Sequence, residues 1–342
     1  MLPHVHVVAT GGTIASTPDE EGAAPSLDGE DLLVSVPDLA SHADLSVESV
    51  SQVPGFDVDF EIMASVAECA REAAEDGADA VVVTHGTDTM AETAYFLDLV
   101  CSLPIPVVVT GAQRRLDEPS SDAPANLLAA VRAATHERVG GGVFLAFDDE
   151  LHAARDVRKT HSHKLNGFSS PNDGPVATLT RAGIRFHREP RSESVYLPVT
   201  GSRDESEDEI EGESAVEAPE ARVEMVVSAA GVDGAQVECA VESGADGLVL
   251  AGTGLGNATG DLGEAIAEAI DAGVPVVLTS RTGAGSTGAV YGTAGGGKTL
   301  QDRGAIPGGD LAPWKARVKL ALALDAVDDS AAVAEYFLNP TE

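Results

Sequence analysis

The sequence predicts an α/β protein of two domains, each built on a largely parallel sheet flanked by helices. Apolar runs rich in β-branched residues alternate with alanine-rich amphipathic stretches, which is typical of βα units. A strongly acidic segment between Thr200 and Arg222 interrupts this alternation once. The chain has 342 residues, which is enough for two domains at roughly 150 residues each.

The first part of the chain contains four short apolar runs that we interpret as buried strands. Ala80-Val81-Val82-Val83 is typical, because a strand of a buried parallel sheet is apolar on both faces. The prolines that follow Leu99 end one helix before the next strand begins. The candidate strands are His4–Thr10, Asp79–Thr84, Val107–Thr110 and Gly142–Phe147, and the candidate helices are Glu61–Asp76, Asp88–Leu99 and Ala123–Glu137.

The acidic segment GSRDESEDEIEGESAVEAPEA has too few large apolar residues to pack, so we expect a solvated linker at 201–222. It separates an N-terminal catalytic domain at 1–200 from a C-terminal domain at 223–342. The C-terminal candidates are strands at Val223–Ser228, Gly247–Leu250 and Val274–Thr279 and helices near Gln236–Glu242, Asp261–Asp271, Pro313–Leu324 and Ala331–Phe337.

The net charge of −35 disfavours binding to nucleic acid, because such a surface repels phosphate groups. Molar salt shortens the Debye length to about 3 Å and removes most of the repulsion within the chain, so we expect a protein from a high-salt cytoplasm. No apolar run approaches the roughly 20 residues of a membrane span. The first residues lack the features of a secretory signal, and we expect a cytoplasmic location.

Two glycine-containing turns follow candidate strands at the edge where open α/β sheets bind ligands. Thr10-Gly11-Gly12-Thr13 places a hydroxyl after two glycines, and Gly86-Thr87-Asp88 places a hydroxyl and a carboxylate after another. We expect Thr87 or Asp88 at a helix N-cap and both hydroxyls in one crevice. Each threonine taken alone is better explained as a turn or cap residue, and it is the occurrence of both, each preceded by a glycine at a strand end, that favours a functional role.

Lysine is scarce in this chain, and one of the few lies in the segment Arg155-Asp156-Val157-Arg158-Lys159-Thr160. The simplest interpretation of a single lysine is a solvated surface charge. A hydroxyl nevertheless needs a base to attack a carbonyl, and a partly desolvated lysine with a lowered pKa can serve as that base.

With these motifs the chain resembles the L-asparaginase/glutaminase family of amidohydrolases over nearly its whole length. The matching segments are TGGTIA, THGTDTMAETAYFLDL, GAQR, SDAPANL, RDVRKT, FSSPNDGP and GDLAPWKARVKLALAL. The resemblance implies an asparaginase-like fold and hydrolysis of L-asparagine, with L-glutamine as a second substrate, to an amino acid and ammonia. It implies no cofactor, no metal, and a homodimer or homotetramer.

Residue by residue, the resemblance implies that Thr13 is the nucleophile and that Thr87, Asp88 and Lys159 form a second catalytic cluster. Thr87 would polarise or deliver a water, Lys159 would tune it, and Asp88 would bind the substrate ammonium. Backbone N–H groups near Thr87 and Ala112 would hold the oxyanion. The implied substrate-binding residues are Gly55, Phe56, Asp57, Gly86, Ala112, Asn257 and Tyr291.

The chain departs from the family pattern at two places. The family commonly has a tyrosine on a loop after the nucleophile, whereas the stretch from Glu21 to Ser26 is alanine-rich; Tyr291, in a segment that reaches a neighbouring subunit in family oligomers, is our candidate substitute. Where the family offers polar groups to the substrate α-carboxylate, this chain has Pro54-Gly55-Phe56-Asp57. Gly55 can lend a backbone N–H, but Phe56 has no polar group, so this departure concerns the identity of the substrate rather than the type of reaction.

Several other patterns have simple structural explanations. Gly292–Thr299 matches the P-loop expression, but glycines and a proline follow it closely, so we expect a flexible glycine loop rather than a phosphate site. We interpret 252–257 as a strand-end loop, in which Asn257 is the substrate-binding candidate. His152, His161 and His163 match no metal-ligand spacing. Cys69, Cys101 and Cys239 suggest buried thiols rather than disulfides.

Two alternative functions stay open at this stage. The amidase subunit of the archaeal tRNA-dependent amidotransferase shares the threonine motifs, but it carries an additional N-terminal domain for which this chain leaves no room before Gly11. The second alternative is a non-catalytic amino-acid-binding protein, which the two departures favour. Ammonia release from asparagine separates such a binder from an enzyme.

Overall fold

The computed structural model describes residues 2–18, 22–190, 196–197, 215–327 and 330–338. Residues 201–214 of the expected linker and Glu21 of the alanine-rich stretch lie outside this part of the chain. The chain divides into two compact units, Met1–Tyr196 with Thr200–Ala218 and Leu197–Val199 with Pro219–Glu342. The expected α/β architecture of two domains, each with its own sheet, is confirmed.

The first unit contains twelve strands and four α-helices among its described residues. The strands are β1 His4–Gly11, β2 Ser16–Pro18, β3 Ala23–Pro25, β4 Asp44–Val53, β5 Ala80–Thr84, β6 Pro106–Thr110, β7 Gly142–Phe147, β8 Glu150–Ala153, β9 Arg158–Lys159, β10 Phe168–Ser169, β11 Ala177–Thr180 and β12 Gly183–Phe186. The helices are α1 Gly29–Ser35, α2 Phe60–Glu75, α3 Met90–Val100 and α4 Ala123–Ala134.

Eight of these strands form one sheet in the order β12-β11-β8-β7-β6-β5-β1-β4. The strands from β7 to β4 are parallel, and β8, β11 and β12 extend the sheet with antiparallel pairing. The valines of β1, β5 and β6 are almost completely buried, and α4 packs against one face of the sheet while α2 packs against the other. The carboxyl ends of β1, β4, β5 and β6 therefore lie along one edge.

The second unit has a four-stranded parallel sheet in the order β13-β14-β15-β16. Its core joins buried aliphatic residues of the strands to those of the helices that flank them. The elements are β13 Val223–Val227, α5 Ala235–Glu242, β14 Gly247–Gly252, α6 Gly260–Asp271, β15 Val276–Ser280, α7 Gly297–Asp302, β16 Ile306–Pro307, α8 Pro313–Ala326 and α9 Ser330–Leu338. Within the described ranges, none of the helices combines the length and the apolar character needed to cross a lipid bilayer.

The structure corrects four expectations. Strand β4 was missed because it is an edge strand with many polar, partly exposed residues. The N-cap of α3 is Thr89, not Thr87 or Asp88, which lie in the turn before the helix. The glycine-rich stretch ends in helix α7 rather than in a continuous loop. The expectation of buried thiols is confirmed for Cys69, but Cys101 is half-buried and Cys239 is exposed.

The last residues of the expected linker make packing contacts. Pro219 is buried, and the N–H groups of Glu220 and Ala221 donate to the carboxylate of Asp325.

Candidate active site

Three glycines bring the carboxyl ends of β1, β4 and β5 into backbone contact. A Cβ atom on Gly12 would lie 2.3 Å from the Cα atom of Gly86, and one on Gly86 would lie 2.4 Å from the Cα atom of Gly55. No side chain fits at any of these positions without moving backbone. Thr13 directly follows Gly12 and Thr87 directly follows Gly86, so the backbones of both threonines start from the same point of contact. We call Gly12, Gly55 and Gly86 the glycine junction.

The turn after β1 needs glycine for conformational reasons as well. Gly11 has a φ of 101° and Gly12 a φ of 77°, which is a region that favours glycine. The N–H of Gly12 donates to the carbonyl of Val53 at 2.9 Å, which ties this turn to the end of β4. Thr13 then opens a short 3₁₀ turn to Ala15 and is half-buried.

Lys159 joins the second cluster through two short polar contacts. Its Nζ donates to the hydroxyl Oγ1 of Thr87 at 2.8 Å and to Oδ1 of Asp88 at 2.7 Å. Lys159 lies on β9, whose pairing with Phe168 of β10 fixes its backbone, and only 17% of its side chain is exposed. The Thr87 residue is 6% exposed, whereas the Asp88 side chain is 53% exposed. A buried hydroxyl thus contacts an amine, while a carboxylate beside it stays open to solvent.

His85 supports this cluster from inside the fold, and sequence reasoning missed it. The ring is completely buried, and burial lowers its pKa to about 4 although the carbonyl of Gly86 opposes the shift. The neutral ring donates from Nδ1 to the Gly86 oxygen at 2.7 Å and accepts at Nε2 from the Thr93 hydroxyl at 2.9 Å. This fixes the carbonyl of the residue that precedes Thr87. The sequence feature that could have identified His85 is its position inside the strand-end segment Thr84–Thr89, which contains Thr87 and Asp88.

A buried polar network orders the loop that follows β6, and it was also missed. The carboxylate of Asp122 accepts the N–H groups of Gln113 and Arg114, both at 2.9 Å. Asn126 donates from Nδ2 to the carbonyl of Gly111 at 2.9 Å and to Asp122 at 3.1 Å. Both side chains belong to the SDAPANL segment that carries part of the family resemblance.

Ala112, one of the expected substrate-binding residues, lies in this ordered loop. Its side chain is completely buried in a small apolar cluster that includes Ile14 and Ala123. Ile14 directly follows Thr13, so the loops after β1 and β6 pack together. A Cβ atom on Gly111 would lie 2.3 Å from the carbonyl oxygen of His85, which also brings the β6 loop against the β5 loop.

The segment Gly55–Asp57 forms a 3₁₀ turn beside Gly86. The hydroxyl of Thr89 donates to the carbonyl of Gly55 at 2.5 Å and holds this turn in place. Phe56 is 70% exposed and Asp57 is exposed, so both side chains project from the turn into solvent. The structure thus brings all three expected residues of this segment next to the glycine junction.

Asn257 and Tyr291 lie in the second unit and line one pocket there, with a volume of about 410 Å³. The Asn257 side chain is already engaged: Oδ1 accepts from the N–H of Gly297 at 3.0 Å, and Nδ2 donates to the carbonyl of Thr253 at 3.4 Å. Tyr291 is 55% exposed. Asn257 therefore has at least one structural task, which is to connect the loop after β14 to α7.

The remaining sequence patterns have local partners in the structure. His152 is buried and bonds through Nδ1 to the Ser170 hydroxyl at 3.0 Å, and the rings of His161 and His163 pack edge to face at 4.7 Å. Lys298, the lysine of the P-loop-like segment, pairs with Asp302 of its own helix at 2.7 Å.

Two family models match the chain, one on each side of the acidic segment. "Asparaginase, N-terminal" matches residues 4–192, and "Glutaminase/Asparaginase C-terminal domain" matches residues 222–337. The chain belongs to the asparaginase family. The family resemblance seen in the motifs is thereby confirmed, and the glycine junction with Thr87, Asp88 and Lys159 lies in the part that the N-terminal model covers.

Three known proteins illustrate what the chain is similar to over most of its length. A probable L-asparaginase of Deinococcus radiodurans is 36% identical over 95% of this chain and 94% of its own. A subunit of the glutamyl-tRNA(Gln) amidotransferase of Methanothermobacter thermautotrophicus is 36% identical over 96% of this chain and 73% of its own. The crystal structure of a probable cytoplasmic L-asparaginase from Campylobacter jejuni has a TM-score of 0.86 at 31% identity, covering 98% of this chain and 99% of that one.

Proposed function

We propose that the protein hydrolyses L-asparagine to L-aspartate and ammonia through a threonine acyl-enzyme, with L-glutamine as a second substrate. The observation that carries this proposal is the hydrogen bond from Lys159 to Thr87 beside the glycine junction. Thr13 directly follows Gly12 of the same junction. Membership of the asparaginase family and the name of the Deinococcus radiodurans relative support it.

In the proposed reaction the Thr13 hydroxyl attacks the side-chain amide carbon of the substrate. The new bond joins Thr13 Oγ1 to that carbon. The C–N bond then breaks as the nitrogen takes up the proton that the Thr13 hydroxyl has lost and leaves as ammonia. Backbone N–H groups near Thr87 and Ala112 stabilise the oxyanion, an effect of about 3 kcal/mol for one donor. The product of this half-reaction is an aspartyl ester of Thr13.

Water completes the reaction in the second half. Thr87 and Lys159 orient a water molecule and remove its proton, and Lys159 is our candidate for the general base of this step. The water oxygen bonds to the acyl carbon, the ester bond to Thr13 breaks, and the threonine recovers its proton. L-Aspartate leaves.

Substrate recognition divides between charges and backbone groups in this proposal. The exposed carboxylate of Asp88 binds the substrate ammonium. Backbone N–H groups of Gly55 and Gly86 face the α-carboxylate, with Phe56 and Asp57 bordering the site. Because Phe56 offers no hydrogen bond, we expect weaker discrimination between α-carboxylate substrates than a polar side chain there would give.

The proposal is tested by measuring ammonia release from L-asparagine, D-asparagine and L-glutamine in molar KCl. We expect turnover of L-asparagine, with no turnover by Thr13→Ala or Thr87→Ala and wild-type turnover by Thr180→Ala, an exposed threonine on β11. Acid quenching and mass spectrometry of Thr87→Ala should reveal an aspartyl adduct on Thr13. Unchanged turnover by Thr13→Ala would disprove the assigned nucleophile. Absence of ammonia from the wild-type protein alone would contradict the asparaginase and favour a binding protein or an amidotransferase subunit.

We also propose a homodimer or homotetramer in which Asn257 and Tyr291 contribute to substrate binding at a neighbouring copy. Tyr291 would replace the tyrosine missing after Thr13. Light scattering after size exclusion tests the oligomer. Tyr291→Phe should lower the turnover number while Tyr336→Phe does not, and equal turnover numbers would remove Tyr291 from the site.

A second candidate function is the amidase subunit of a tRNA-dependent amidotransferase. The name of the Methanothermobacter thermautotrophicus relative favours it, while the net charge of −35 disfavours docking of tRNA. The two functions differ in what triggers ammonia release. Turnover of free L-asparagine by the protein alone supports the asparaginase, whereas release that requires a partner protein and charged tRNA supports the amidotransferase.

We propose a cytoplasmic location for this activity. The name of the Campylobacter jejuni structure supports it, although a relative from Haemophilus influenzae is named as periplasmic. Immunodetection in cell fractions tests the location.

A further inference from the structure

Three side chains with metal-binding atoms meet on the face of the sheet that α2 covers. They are His6 of β1, Glu48 of β4 and Cys69 of α2. The Cys69 Sγ atom lies 3.5 Å from His6 Nε2 and 3.5 Å from Glu48 Oε2, and all three atoms lie within 4.8 Å of one another. Among the described residues this is the one group of three or more His, Cys, Asp or Glu side chains that meets this spacing.

We propose that His6, Glu48 and Cys69 bind a zinc ion. Zinc bonds to sulfur are about 2.3 Å long and those to nitrogen or oxygen about 2.0–2.1 Å, so tetrahedral angles separate a sulfur ligand from the other two by about 3.5 Å. The two distances from Cys69 already have this value. A nitrogen, a sulfur and an oxygen ligand form a donor set that suits zinc, with water as the fourth ligand.

The neighbours of His6 are compatible with a ring nitrogen that faces the metal. The Ser46 hydroxyl lies 2.9 Å from Nδ1 of His6 and 2.8 Å from Nε2 of His4. If Ser46 donates to His4, it can accept from Nδ1 of His6, and the lone pair of His6 Nε2 then points to the ion. Such an outer hydrogen bond is a usual feature of metal-binding histidines.

The charge and exposure around Cys69 also suit a cation. Cys69 is buried, and its Sγ atom lies 3.5 Å from the carboxylate of Glu48, so a cation bound here would contact a negatively charged group. Binding of the ion displaces the thiol proton of Cys69 to solvent and leaves the thiolate as ligand. Glu48 is exposed on the edge strand β4, which gives an ion a path from solvent.

The zinc ion would connect three elements that lead to the glycine junction. β1 continues into Gly12, β4 continues toward Gly55, and α2 begins shortly after Asp57. An ion that holds α2 against β1 and the edge strand β4 stabilises the first unit without touching the substrate. This inference is independent of the proposed function.

The test uses tag-free, chelator-treated full-length protein in molar KCl with a non-thiol reductant. We expect calorimetry with ZnCl₂ to give one site per chain, and CoCl₂ to give a thiolate-to-cobalt charge-transfer band in the near ultraviolet. Thermal unfolding should shift upward with ZnCl₂. Absence of saturable binding to the wild-type protein would overturn the proposal.

Variants assign the site to these residues. Cys69→Ser should weaken zinc binding at least about 100-fold and abolish the cobalt band, and Glu48→Gln should weaken binding about tenfold. Cys239→Ser, which removes an exposed cysteine in the second unit, should bind as the wild type does. Glu48 is exposed, so Glu48→Gln provides a readout even if Cys69→Ser folds poorly. Wild-type affinity in both variants, or loss in Cys239→Ser, would disprove the site.

Discussion

The amine of Lys159 donates a 2.8 Å hydrogen bond to the hydroxyl of Thr87, although 72 positions separate the two residues in the sequence. Thr87 follows the central strand β5, whereas Lys159 is carried by the two-residue strand β9. The two residues belong to different elements, and no local segment of the chain brings them together. Their pairing therefore depends on the fold of the first unit. Substitution of Lys159 is the most direct test of a catalytic role for this contact.

Replacement of Lys159 by methionine should abolish most of the activity. Methionine approximates the length of the lysine stem but offers no amine, so we expect turnover of L-asparagine to fall about 10³-fold with little loss of stability. Lys159→Arg should be nearly as inactive, because a guanidinium group does not accept a proton at neutral pH. Steady-state ammonia release measures both variants.

The matched control for this prediction is Lys164→Met, which removes an exposed lysine from the same segment. It should keep wild-type turnover. If Lys159→Arg retains full activity, the lysine is needed only for its charge or its hydrogen bonds, and general base catalysis by this residue is wrong.

Replacement of Gly86 by alanine should damage both stability and activity. The added Cβ atom would lie 2.4 Å from the Cα atom of Gly55, and neither backbone can move without shifting a strand end. We expect a loss of about 3 kcal/mol in the free energy of unfolding, measured by urea denaturation in molar KCl. Gly140→Ala, whose Cβ atom meets nothing within 4 Å, should change this free energy by less than about 0.5 kcal/mol. Equal stability of the two variants would refute the close contact.

His85 should make the stability of the protein depend on pH in a defined range. Its pKa is about 4 in the folded protein because of burial, against a value of 6.5 for an unperturbed histidine. Between about pH 6.5 and about pH 4, His85 binds a proton in the unfolded chain but stays neutral in the folded protein. The free energy of unfolding therefore falls as the pH drops through this range. The total effect is on the order of 3 kcal/mol.

His85→Asn isolates this contribution because asparagine can still donate to the Gly86 carbonyl but does not titrate. The free energy of unfolding should be measured for both proteins by urea denaturation at several pH values in that range. We expect the wild type to lose more stability on acidification than the variant. Parallel curves would mean that His85 is protonated equally in the folded and unfolded states.

The net charge of −35 should make the fold depend on salt. Screening at molar KCl shortens the Debye length to about 3 Å, so repulsion among the many carboxylates falls. We expect the unfolding temperature, followed by circular dichroism, to rise with KCl and equally with NaCl. A non-electrolyte at the same osmolality should have a smaller effect. A fold that is as stable without added salt would contradict adaptation to a high-salt cytoplasm.

The sequence predicted the central strands of both sheets well because those strands are fully buried. Ala80–Thr84 is apolar on both faces and leaves little alternative to a strand in a parallel sheet. Asp44–Val53 could not be recognised in the same way. It lies at the sheet edge, where its residues are partly or fully exposed to solvent, and its serines and carboxylates resemble a loop.

The candidate site was predictable as far as its motifs reach. The turns containing Thr13 and Thr87 follow candidate strands of a parallel sheet, and the carboxyl ends of parallel strands lie at the same edge. The sequence motifs do not reveal the buried hydrogen bonds that hold these turns in position. The buried ring of His85 and the Asp122 carboxylate gain their roles only from partners that tertiary folding supplies, such as Thr93 and the N–H of Gln113.

The glycine junction has a practical consequence for efforts to change the substrate of this protein. Substitutions are not tolerated at Gly12, Gly55 and Gly86, because a Cβ atom at any of them would collide with the main chain. Phe56, next to Gly55 and largely surrounded by water, has no such restriction. Directed evolution should therefore keep the three small residues constant and randomise the neighbouring aromatic position, where new polar groups can be sampled without reshaping the strand ends.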